Sequence, residues 1–101
     1  MENKFIVITK TYFEPSEKKK ILDLAERSFP IFRKQPGLIA IMSHISHDQT
    51  HTMSYLSWKD KHDHEACMVS KDFSDFNQEW EKLLSSGKVR FELQTYDLLG
   101  E

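Results

Sequence analysis

The stretch "WKDKHDHEACM", Trp58 to Met68, gathers His62, His64, several carboxylates and the chain's single cysteine. These residue types hold transition metals, move protons or act as nucleophiles, so three chemistries compete. A metal centre needs three or four convergent ligands at about 2 Å. His62 and His64 are two residues apart, which on a helix turns them roughly 200° from each other. His44 and His47 are an odd number of residues apart on an extended run, so they face opposite sides. His47 and His51 flank a turn with no evident third ligand. The spacing therefore predicts no specific metal site. Cys67 has no lysine or arginine beside it to lower its pKa and reads as a partly buried, inert thiol.

Proton transfer is the better reading. The i+3 and i+4 neighbours of His64 are Cys67 and Met68, so the histidine shares a face with the apolar residues of a short helix. Turned inward, it could take a proton from a phenolic substrate, since imidazole titrates near neutrality. The alternative is a histidine at a helix edge, hydrogen-bonded or wet. Trp58, Tyr55, Phe73, Phe76 and Trp80 could line a flat aromatic pocket, with Cys67 and Met68 beside them. At helical spacing Phe76, Trp80 and Leu83 also read as plain core. Arg90 could hold a substrate oxyanion, or pair with Glu92 or with a partner subunit.

The elements that must position these residues follow from periodicity. "KFIVITKTYF" is β-branched and aromatic with apolar residues on both faces, which predicts a strand in the middle of a sheet. A helix follows, with Pro15 in its first turn and Ile21, Ala25, Phe29 and Phe32 at helical spacing. Pro30 is expected to kink or break it, and Pro36-Gly37 to end it. "LIAIMSHISHDQTHTMSYLSW" predicts a hairpin turning near Asp48-Gln49-Thr50. Asp60 is a plausible N-cap for a short helix running to about Met68. Phe73, Phe76, Trp80, Leu83 and Leu84 stripe the next helix, which Gly87 closes. The last strand carries Val89, Phe91 and Leu93 on one face, and Arg90, Glu92, Gln94 and Tyr96 on the other.

The order β-α-β-β-α-β is the ferredoxin-like arrangement, an α+β fold with an antiparallel sheet and its helices on one face. The other face has no cover within the chain. Yet Leu38, Ala40 and Met42 alternate with Ile39, Ile41 and Ile45, so apolar residues occupy both parities. A second subunit packed sheet to sheet would resolve that, and the expectation is a homodimer.

A chain of 101 residues suits one domain. A formal charge of -2 with interspersed signs argues against nucleic acid or a polybasic membrane surface. The lysines at 18, 19 and 20 read as a solvated helix face. Near Glu2 the apolar run is too short for a signal peptide or a membrane span. One cysteine fits a reducing compartment, and the expected location is the cytoplasm.

Together "FIVITKTYF", "QPGLIAIMSH" and "YLSWKDKHDHEACMVSKDFSDF" resemble the antibiotic biosynthesis monooxygenase family of dimeric α+β barrels. The resemblance covers nearly the whole chain. It implies a cofactor-independent oxygenase acting on a small quinol- or anthrone-like aromatic, with His64 as base, Trp58 stacked on the ring and Arg90 at the oxyanion. The absence of a flavin or nicotinamide fingerprint agrees with that. Where the family often has His-Leu at the end of the short helix, this chain has Cys67-Met68. Asp72 stands where a further histidine is common. A non-catalytic dimeric module binding a small molecule or a protein partner is the rival reading. The family's haem-degrading branch is the weakest match, because its asparagine, tryptophan and histidine correspond to Thr9, Cys67 and Asn77.

Overall fold

Strand β1, Phe5–Phe13, lies at the centre of the sheet, as its two-sided apolar pattern requires. The computed structural model describes residues 4–100, and Glu2 lies outside them. Helix α1 spans Lys18–Arg33 after a single 3-10 turn at Pro15–Glu17. Strands β2, Leu38–Ile45, and β3, His51–Trp58, form the hairpin. Helices α2, Lys61–Met68, and α3, Lys71–Ser85, precede strand β4, Val89–Asp97. The sheet order is β2-β3-β1-β4, with antiparallel pairs throughout. This is the expected ferredoxin-like α+β arrangement. No helix among the described residues is long and apolar enough to cross a membrane.

Register assigns each strand residue to a face. Phe5 pairs with Trp58, Val7 with Leu56, Thr9 with Ser54 and Thr11 with Thr52, and this row faces the helices. Val89, Phe91 and Leu93 join it from β4. A β-bulge between Leu38 and Ala40 breaks simple alternation on β2. Leu38 and Ile41 therefore both pack on the inner core, while Ala40 and Met42 pair with the outward Ser57 and Tyr55.

The inner core is divided. Val7, Leu56, Trp58 and Cys67 cluster at one end of the sheet, and Phe13, Ile21 and Val89 at the other. Trp58 and Ile21 are wholly buried.

Pro30 does not break α1, which continues to Arg33. The hydrogen bond that proline cannot make would have gone to the carbonyl of Glu26, four residues back. Both residues are exposed, so water can satisfy that oxygen. At the hairpin turn Gln49 takes φ 63°. Asp48 accepts from the Thr50 hydroxyl at 2.7 Å, the Ser46 hydroxyl at 2.7 Å and the Thr50 amide at 3.1 Å. These bonds, those from Thr50 foremost, hold its carboxyl at about 2.

Gly37 has φ +87°, and a side chain there would run into the Asp63 carboxylate. Its carbonyl accepts from the Lys59 amide at 2.7 Å, so the start of β2 is fastened to the segment that launches α2. Asp60 caps that helix by accepting from the Asp63 amide at 2.9 Å.

Candidate functional site

Between the helix layer and the sheet lies a cavity of about 240 Å³. Its floor is the inward row of β1 and β3, from Val7 and Leu56 to Thr11 and Thr52. Phe32 and Ser28 of α1 and Phe73, Phe76, Asn77 and Trp80 of α3 form the roof, and Phe91 and Leu93 close the β4 side.

The Asp60 cap sets the rotation of α2, and that rotation brings His64 into the cavity wall. The imidazole packs against the Phe5 ring at 5.4 Å and meets Trp58 edge-on at 5.7 Å. Its Nδ1 is buried without a hydrogen-bond partner, as is Nε1 of Trp58. Aromatic packing, rather than a carboxylate, therefore orients the ring. Burial pushes the His64 pKa below its ordinary 6.5, and the charge of Glu65 offsets this in part. The shift favours the neutral ring, the form that can accept a proton.

His64 also lines an open groove on the protein surface, shared with Phe5, Asp60, Lys61, Glu65, Thr95 and Asp97. It thus stands in the partition between the apolar cavity and a carboxylate-rich surface.

Met68, Phe73 and Phe76 line the cavity with His64. Trp58 and Cys67 do not reach it. They are 0% and 1% exposed and pack behind His64 with Val7 and Leu56. Trp58 is therefore a support for the imidazole and not a surface on which a ring could stack. Burial raises the Cys67 thiol to about 11, which leaves it protonated and unreactive.

Tyr55 and Arg90 fall on the opposite sheet face, because each is one residue out of phase with the inward row. Arg90 lies over the Tyr12 ring at 4.2 Å and meets Glu92 at 3.4 Å, so it cannot hold an oxyanion in this cavity. His51 stacks on Tyr12 at 4.8 Å.

Sequence reasoning missed the polar floor. Thr9, Thr11, Thr52 and Ser54 share the parity of Val7 and Leu56, and that coincidence of phase was the available signal. It also missed the grouping of Asp60, His62 and Asp63, whose candidate ligand atoms lie within 4.8 Å of one another at the start of α2. The group is largely exposed, and Asp60 already caps the helix.

Of the positions matched to the haem-degrading branch, Thr9 and Asn77 line the cavity and Cys67 is sealed in the core. Asn77 donates to Glu81 at 3.2 Å and is an amide where that apparatus needs an imidazole. These residues do not fit a haem held in that way.

No protein-family model matches the chain, and no curated protein matches it in sequence. Solved structures do. A variant of SnoaB, a cofactor-independent oxygenase from Streptomyces nogalater, superposes with a TM-score of 0.79 at 10% identity, over 97% of this chain and 95% of that one. A structure described as an antibiotic biosynthesis monooxygenase gives 0.73 at 14% identity, over 96% and 98%. The fold is that of the antibiotic biosynthesis monooxygenases. Rv0793 from Mycobacterium tuberculosis superposes on it with a TM-score of 0.82 at 11% identity, over 97% of each chain. At these identities the likeness to the monooxygenase fold carries architecture, not substrate or residue roles.

Proposed function

We propose that the chain is a cofactor-independent monooxygenase for a small, electron-rich aromatic of the quinol or anthrone type. One observation carries this reading: a part-open, largely apolar cavity has in its wall an imidazole whose pKa burial lowers, which favours the proton-accepting form. His64 takes the proton of a phenol or an activated methylene, which leaves an electron-rich anion able to reduce dioxygen. The substrate supplies all four electrons. One oxygen atom enters it and the other leaves as water, so no external reductant is consumed. Because His64 also borders the surface groove, the proton can be handed outward on that side of the ring. The SnoaB likeness supports the reaction class, while the substrate rests on the cavity alone.

Oxygen uptake over a panel of quinols and anthrones tests the reading. We expect substrate-dependent consumption with water, not peroxide, as the reduced product. A flat trace across the panel would sink it. The rival, a non-catalytic binding module, is favoured by one feature: Nδ1 of His64 lacks the partner that usually orients a catalytic base.

The reading includes a homodimer in the cytoplasm. The outward sheet face presents Ile8, Met53 and Tyr55 beside Met42 and Tyr96, the last two about half exposed. Light scattering behind a sizing column should give twice the chain mass. A folded monomer would refute the packing argument. The single buried cysteine suits a reducing compartment.

A further inference from the structure

The helix-facing row of the two central strands should be apolar throughout, since it floors the core. It is apolar only at its ends. Val7 and Leu56 belong to one hydrophobic cluster, and Phe13 belongs to the other. Between them lie the paired positions Thr9 with Ser54 and Thr11 with Thr52. Four hydroxyls from adjacent strands therefore form one patch and split the core in two, and all four residues line the cavity.

Ser54 is already bonded to Ser43, hydroxyl to hydroxyl, at 2.8 Å. Among the described residues no protein hydrogen bond engages the side chains of Thr9, Thr11 and Thr52, and their hydroxyl oxygens, unlike Nδ1 of His64 and Nε1 of Trp58, are not sealed from the cavity. Thr11 and Thr52 are nonetheless buried, at 4% and 8% exposure. Valine has threonine's shape without the hydroxyl, so an interior with nothing to bond should favour it. A hydroxyl kept there without a protein partner is a group available to a ligand.

His64 marks the other end of the site. Its ring packs on Phe5 and Trp58, and Thr9 and Ser54 lie four residues further along the same strands. At about 3.3 Å per residue that is roughly 13 Å between the two levels, less the reach of the imidazole into the cavity. One ring is too short to meet both ends.

We infer that the Thr9, Thr11, Thr52 and Ser54 patch is a polar subsite selecting a fused-ring aromatic that carries a second oxygen at the end remote from His64. The inference deepens the proposed function and rests on its reading of the cavity as an aromatic site. The patch fixes which way the ligand lies. The oxygen-bearing far edge rests on the hydroxyls, which both donate and accept, so a carbonyl or a hydroxyl is taken. The ionisable edge is then left at His64.

Calorimetric titration under nitrogen tests this without turnover, with 2-naphthol and 2,6-dihydroxynaphthalene as probes. The parent should bind the diol about tenfold more tightly, the value of roughly one well-made hydrogen bond. In the protein carrying Thr9→Val, Thr11→Val and Thr52→Val together, the two probes should bind equally. The variant should melt close to the parent, since valine keeps threonine's shape and the hydroxyls it replaces make no protein hydrogen bond. If the triple variant does not fold, the single variants decide, each expected to lose part of the preference. Equal binding of both probes by the parent, no binding of either, or a preference that survives the substitutions would overturn the subsite. A preserved preference in the parent with no oxygen uptake would remove the monooxygenase reading and leave the subsite standing.

Discussion

His64→Gln should lower turnover of an accepted substrate by about 100-fold to 10,000-fold, the usual contribution of a positioned base. Glutamine keeps much of the volume between Phe5 and Trp58, so the thermal midpoint should stay close to the parent's. His62→Ala is the control. That side chain is 89% exposed on the outer side of α2, and its loss should leave turnover unchanged. The pH profile separates a base from a packing residue. Burial lowers the His64 pKa, so the competent neutral form persists below pH 6.5 and activity should fall only at more acidic pH. Stability follows the same sign. The unfolded chain takes this proton first, so the contribution of neutral His64 is present above pH 6.5 and is lost as pH falls through the lowered folded value. Glutamine cannot titrate, and the variant should lose both dependences. Unchanged turnover in His64→Gln would place the base elsewhere.

Trp58→Ala should cost about 3–5 kcal/mol, the range for emptying a large aromatic site in a packed core. The indole is fully buried among Val7, Leu56 and Cys67, and partly buried Phe5, Phe32 and Met68 pack against the same cluster. A domain of this size has only about 5–15 kcal/mol in total, so the variant would be close to unfolding. Trp58→Phe should be much milder. It keeps a ring against His64 and removes an N–H that has no partner. Urea unfolding at one protein concentration measures both. A loss under about 1 kcal/mol in Trp58→Ala would show that this end of the core is loose. If Trp58 supports the imidazole, Trp58→Phe should keep turnover.

Much of the architecture was legible in local pattern. The alternation of β4 separated Val89, Phe91 and Leu93 from Arg90 and Glu92, as the register shows. Asp60 was readable as a cap because a carboxylate before a helix has amides to accept from. The i+3 and i+4 relation placed His64 with Met68, and both line the cavity. These features depend on chemistry within a few residues of chain, which a sequence states directly.

Other features waited for the tertiary structure. Whether Pro30 ends α1 depends on whether Glu26 meets water, which solvent exposure decides. The faces of β2 turn on a bulge at Ile39, and nothing in "LIAIM" announces one. Tyr55 and Trp58 are three residues apart and looked like one aromatic surface, yet an odd separation on a strand sends them to opposite faces. At the end of its strand Trp58 reads as a ligand contact. It is instead the packing behind the base, since Val7, Leu56 and Cys67 close around it. The threonines of β1 and β3 read as ordinary strand formers when each strand stands alone. Only pairing brings four hydroxyls into one patch, because neighbours across a sheet are set by register between segments some forty residues apart.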